Sequence, residues 1–139
     1  MISDTAAAKM QMQRLERLHP KELGMKLYRP VGTAELELIA QSGYRCFPPR
    51  LPEQPIFYPV LHEEYAIEIA GKWNARDHSD HKGYVTAFEI DDEYGSQFTV
   101  QTVGRSCHQE LWIPAEELEN FNRHIIGKIC VIHTFSNKT

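Results

Sequence analysis

The stretch Phe98-Thr99-Val100-Gln101-Thr102-Val103-Gly104-Arg105-Ser106-Cys107-His108-Gln109-Glu110-Leu111-Trp112-Ile113 decides the fold. Phe98–Val103 and Gln109–Ile113 read as strands, and Gly104-Arg105-Ser106 between them reads as a turn. No helical pattern separates the two runs, which argues for antiparallel pairing. Upstream, Gly83–Asp91 reads as a further strand and Asp91–Gly95 as a turn. Downstream, Pro114 stands where helices start, and Ala115–His124 carries Leu118 and Phe121 on its inward side. Lys128–Phe135 reads as a closing strand.

Further out the pattern turns helical. In Leu61–Asn74, residues Leu61, Tyr65, Ala66, Ile69, Ala70 and Trp73 recur at helical spacing. Ile56–Tyr58 is short and strand-like. Pro48, Pro49, Pro52 and Pro55 before it exclude both helix and central strand, so Phe47–Pro55 is expected to be an ordered, extended loop. Tyr44–Phe47 reads as a short strand. Thr33 is expected to cap a helix over Ala34–Ser42, with Leu36, Leu38 and Ile39 inward and Gly43 at its end. Lys26–Val31 alternates as a first strand.

Residues 1–24 look different from the rest. Ser3 is placed to cap a helix from about Asp4 to Leu18, whose apolar stripe of Met10, Met12, Leu15 and Leu18 is thin. His19-Pro20 ends it. The expected organisation is an N-terminal extension over 1–24, helical and loosely attached, with a packed extra helix as the alternative, and a single domain over 25–139. Helices and strands do not alternate regularly. The expected fold is therefore α+β, a mainly antiparallel sheet with two or three packed helices, not a doubly wound parallel sheet.

Composition excludes several classes of function. The 139 residues suffice for one ordinary core, and 42% hydrophobic and 24% charged content is ordinary for a globular chain. The formal net charge is −4, and Lys and Arg are scattered. No basic stripe for nucleic acid is present. The three cysteines, Cys46, Cys107 and Cys130, are odd in number and far apart, which suits reduced thiols better than a disulfide framework. No secretory leader and no membrane-length apolar run is seen, so a cytoplasmic protein is expected.

Several groups carry side chains suited to chemistry. Arg76-Asp77-His78-Ser79-Asp80-His81 interleaves two histidines with two aspartates, yet its position between a helix and a strand reads as a solvated loop, so no metal site is expected. Cys107 and His108 are neighbours on a strand and point to opposite faces, which does not suit a nucleophile–base pair. The proline run is either the wall of a pocket with Arg50 aimed inward, or a surface loop stiffened against unfolding. Arg29 on the first strand needs a charged partner or a ligand anion unless that strand is an edge. Tyr58 beside Phe57 offers a face for stacking or for core packing. Glu110 opens the strand Leu111-Trp112-Ile113. Trp73 and Trp112 read as core.

Leu27-Tyr28-Arg29-Pro30-Val31-Gly32, Phe47-Pro48-Pro49-Arg50-Leu51-Pro52, Pro55-Ile56-Phe57-Tyr58-Pro59-Val60 and Glu110-Leu111-Trp112-Ile113-Pro114-Ala115-Glu116-Glu117-Leu118 together resemble a small bacterial family labelled ADP-ribosylation/crystallin J1. The resemblance covers roughly residues 25–135. The label points to ADP-ribosylglycohydrolases, but this chain is shorter, richer in strands and without their aspartate clusters. A looser similarity is to the ADP-ribosyltransferase fold, which sets an Arg or His on its first strand, an aromatic or Ser/Thr segment before a helix, and a Glu opening a late strand. Arg29, Tyr58 and Glu110 stand in that order, although the usual Ser-Thr-Ser or His-Gly strand motif is missing and Pro59 follows Tyr58. The resemblance implies NAD or a related nucleotide as ligand, with a protein as one class of acceptor. It assigns Glu110 the catalytic role, with Arg29, Arg50, Phe57 and Tyr58 as cofactor-binding residues. A non-catalytic ligand-binding or protein-interaction module is the alternative.

Overall fold

The structure is a computed structural model that describes residues 24–74 and 82–136. The helix expected over 4–18 and the loop carrying His78 and His81 lie outside the described residues.

The frame is a three-stranded antiparallel sheet ordered β1-β3-β7, made of Met25–Val31, Lys82–Ile90 and Ile125–Ser136. β3 is central and buried on both faces. β1 alternates: Leu27, Arg29 and Val31 are buried on one face, while Tyr28 packs against the cluster on the other. Two shorter ladders continue the sheet beyond β1. Val60 exchanges both backbone hydrogen bonds with Tyr28, at 2.8 and 2.9 Å. On its other side Val60 bridges Glu110. Strand β2 (Ile56–Phe57) pairs with β6 (Ile113–Pro114), and Val60 opposite Glu110 falls in the same antiparallel register. One ladder therefore runs from Ile56 to Val60, interrupted where Pro59 has no N–H to donate. Its partner β5 (Gln109–Leu111) forms a hairpin with β4 (Val100–Thr102), and Val103 N–H closes the turn on the His108 carbonyl at 3.0 Å. β2, β4 and β5 are shorter than the sequence pattern suggests, whereas the first and closing strands begin earlier than expected; the antiparallel pairing is as expected.

Helices cover both faces. Helix α2 (Glu63–Ile69) widens into a π-helical turn over Ala70–Asn74 and packs on one face, around Val60, Tyr65, Ala66, Ala70 and Val85. The other face holds the larger core, in which the rings of Phe47, Phe57, Phe88 and Phe121 meet at 4.8–6.1 Å. Helix α1 (Thr33–Gln41), the single turn α3 (Asp92–Gly95) and α4 (Leu118–Arg123), entered through a 3₁₀ turn at Ala115–Glu117, lie there. Among the described residues the α-helices thus number four, one of them a single turn.

Local corrections have simple causes. The cap of α1 is Gly32 in extended conformation, and Thr33 is already helical. Tyr44–Phe47 is not a strand, because Tyr44 sits at φ 63° and turns the chain. Gly43 before it, at φ 77°, supplies the left-handed residue that ends α1. The Ser42 hydroxyl then accepts from the N–H groups of Arg45 and Cys46, at 3.1 and 3.0 Å. Asp91 caps α3 by accepting from Glu93 N–H at 3.0 Å, which turns an expected plain turn into a helical one.

The proline run is an ordered loop with three anchors. Phe47 inserts its ring in the core, and the Asn122 side chain clamps the Phe47 backbone by accepting from its N–H at 2.9 Å and donating to its carbonyl at 3.0 Å. Gln54 closes the tip on Leu51 through backbone and side chain, at 2.8 and 3.1 Å.

Candidate functional site

Arg29, Tyr58 and Glu110, far apart in sequence, line one cleft of about 320 Å³ together with Pro30, Val60, Tyr65 and Ile69. The sheet explains this. Val60 lies between Tyr28 and Glu110, so the residues flanking these positions are brought within two strand spacings of one another.

Glu110 is held at both carboxylate oxygens. The Tyr65 hydroxyl donates to Oε2 at 2.8 Å, and the Trp112 indole N–H donates to Oε1 at 2.8 Å. Burial, followed by that bond to Glu110, pushes the Tyr65 hydroxyl up to about 12. Tyr65 therefore remains a donor at neutral pH. Its ring in turn stacks on His108, with centroids 4.3 Å apart, and His108 Nε2 meets Glu68 Oε1 at 3.1 Å. Gly104 is required here, since a Cβ in its place would come within 2.7 Å of His108 Nδ1. That bond to His108 is also the main reason the Glu68 carboxyl lies below its ordinary value. His108 is engaged with Glu68 and does not serve the neighbouring Cys107.

Arg29 is only 8% exposed. Its Nε and Nη2 donate to the two Glu35 oxygens at 2.7 and 3.1 Å, and Nη1 reaches the Tyr58 carbonyl at 3.5 Å. The charged partner anticipated for a strand arginine is thus Glu35, on the first turn of α1. These contacts engage three of the five guanidinium N–H groups, which leaves two for another acceptor.

The two aromatic neighbours part company. Tyr58 is 41% exposed and meets the 44% exposed Trp112 edge to face at 6.4 Å. Phe57 is 0% exposed, with Phe47 and Phe121 against it and the Arg29 guanidinium 4.6 Å above its ring centroid. The structure therefore corrects the grouping of Phe57 with the cofactor-binding residues, since no face of it is open to a ligand. Trp112, read as core, is exposed beside the cleft. Tyr65 stands in the sequence only as one of the residues at helical spacing, and Trp112 reads as core, yet both hold Glu110; their polar tips are the available signal.

Arg50 does not line this cleft. It lines an adjoining cavity of about 480 Å³ between the proline loop and the start of α1, and Arg29 and Pro30 belong to the walls of both. Among the described residues, no side chain caps the N-terminus of α1 at this wall. Among the described residues, no cavity is walled by metal-type ligand clusters. No helix there is long and apolar enough to cross a membrane.

Compared with family models, curated proteins and solved structures, the chain matches none.

Proposed function

We propose that the cleft binds NAD or a related nucleotide, and that the chain is an ADP-ribosyltransferase-like domain that transfers ADP-ribose or splits NAD. The observation that supports this reading is the meeting of Arg29, Tyr58 and Glu110 in one cleft, with both oxygens of Glu110 fixed by donors. Cleavage of the bond between ribose and nicotinamide develops positive charge on the ribose. A carboxylate oriented in advance stabilises that charge without reorganising at the moment of reaction. The exposed Tyr58 ring offers a face to the nicotinamide, and the spare N–H groups of Arg29 suit a ribose or phosphate oxygen.

Calorimetry with millimolar NAD, run beside a nicotinamide-release assay, tests the reading. Wild-type protein is expected to bind NAD. Glu110→Gln, which keeps the shape and one acceptor oxygen for the Trp112 indole while its amide N–H faces the Tyr65 hydroxyl, removes the charge; it is expected to bind comparably and to release nicotinamide at least about 100-fold more slowly. No heat from the wild type sinks the nucleotide reading. Binding without any nicotinamide release favours a non-catalytic module instead. One feature favours that second reading: Tyr58 and Trp112 form an exposed aromatic pair suited to a partner surface.

A further inference from the structure

One arginine lining the cavity between the proline loop and α1 lacks a hydrogen-bond acceptor among the described residues. The charged residues lining this cavity are Arg29, Arg50 and Glu35. Glu35 is taken by Arg29 through two hydrogen bonds, at 2.7 and 3.1 Å. Arg50 makes no hydrogen bond or ion pair among the described residues, and its Nε is buried without a partner. Both guanidinium groups lie over the Phe57 ring, at 4.6 and 5.9 Å from its centroid. Two like charges thus share one aromatic platform and a single carboxylate. Burial and then the neighbouring Arg29 lower the Arg50 pKa, the direction expected where positive charge is undercompensated.

A protein rarely buries a guanidinium N–H without an acceptor. The backbone on either side of Arg50 is also held in place. The loop that carries Arg50 is pinned at Phe47 by Asn122 and closed at its tip by Gln54. The cavity is large enough for a phosphate group, and it meets the Tyr58–Glu110 cleft at Arg29 and Pro30.

We propose that this cavity is an anion subsite, in which Arg50 supplies the unshared charge and receives the diphosphate of a nucleotide whose ribose end lies in the Tyr58–Glu110 cleft. The identity of the ligand rests on the nucleotide reading above; the need for an anion rests on the cavity alone. Arg29, at the boundary, touches both halves of such a ligand. Planar, forked donors suit phosphate oxygens better than a lysine point charge does.

The test uses inorganic pyrophosphate as probe, with NAD alongside, at fixed ionic strength held by sodium chloride. Titrations are followed by calorimetry for wild type, Arg50→Gln, Arg50→Lys and Tyr58→Ala, with a melting curve for each variant. Pyrophosphate is expected to bind the wild type and to displace NAD. Arg50→Gln should weaken both at least about tenfold, which is the loss of one charge-assisted hydrogen bond, and Arg50→Lys should restore part of it. Tyr58→Ala should weaken NAD and leave pyrophosphate unchanged. NAD binding that ignores both Arg50→Gln and pyrophosphate overturns the subsite while leaving the nucleotide reading intact. Pyrophosphate binding that depends on Arg50, with no binding of NAD, keeps the anion site and overturns its link to the nucleotide. Failure of both ligands to bind overturns the two together.

Discussion

Phe57→Ala removes a ring that is fully buried among Phe47, Phe121 and Arg29, so it should cost about 3–5 kcal/mol of stability. Tyr58→Ala, one residue on, removes a half-exposed ring with one edge contact and should cost no more than about 1 kcal/mol. Urea denaturation of the two variants checks the pair, and similar costs would contradict the strand parity described above. That parity also marks what sequence could not reveal. Alternation says that neighbours on a strand face opposite ways, but not which faces the core; here the Phe47–Phe121 cluster decides. A second residue-scale expectation concerns pH. The Tyr65 hydroxyl titrates higher in the folded state than its ordinary value of about 10. A raised folded value means that the folded state holds its proton longer. Its contribution is whole below about pH 10 and falls away as the pH rises toward about 12. Denaturation midpoints across alkaline pH should drop through that window, and Tyr65→Phe should flatten the drop. Glu117 behaves in the opposite sense. The Tyr94 hydroxyl and then Asn120 hold its carboxyl below the ordinary value, so its contribution is whole above about pH 4.5 and declines as acid protonates it.

At the scale of elements, the proline loop depends on a clamp that no local pattern announces. Asn122 on α4 reaches the Phe47 backbone, 75 residues away in sequence. Asn122→Ala leaves that N–H and carbonyl unpaired in a half-buried place, at a cost of about 1–3 kcal/mol. The variant should also weaken pyrophosphate binding if Arg50 depends on the loop for its position; calorimetry beside a urea curve separates the two effects. The elements themselves were legible to different degrees. The three long strands, α1, the helix of Leu61–Asn74 and the helix start at Pro114 follow from periodicity and proline placement. Leu61 and His62 lie before the first turn of that helix, which begins at Glu63, and its last turn relaxes to π geometry. Tyr44–Phe47 carried a strand-like composition, and the positive φ of Tyr44 overrode it. Propensity measures what a residue prefers, and a neighbouring Gly43 in the left-handed region was the hint that the chain turns there.

For the molecule as a whole, the deciding fact is strand order, which composition and period do not encode. Val60 between Tyr28 and Glu110 brings the first strand and a late hairpin into one sheet, and that arrangement assembles the cleft. Arg29 could be picked from sequence as a buried charge in need of a partner. That its partner would be Glu35, only six residues on, while Arg50 in the same cavity has no hydrogen-bond or ion-pair partner among the described residues, depends on how α1 folds back over β1. This arrangement sets stability against binding. Glu35 neutralises Arg29 in a nearly buried pair, with side chains 10% and 22% exposed. Glu35→Gln keeps the shape and leaves the guanidinium without its countercharge, which should cost about 2–3 kcal/mol. Among the described residues, the same change removes the only carboxylate that lines the anion cavity. Pyrophosphate should then bind more tightly than to the wild type, by about tenfold, because the incoming anion no longer competes with Glu35 for Arg29. Urea denaturation and calorimetry on the one variant read both quantities. A loss of stability with tighter anion binding matches the shared-charge arrangement. A loss of stability with weaker binding would show that Glu35 positions Arg29 for the ligand and that the two arginines do not act as a common reserve of positive charge.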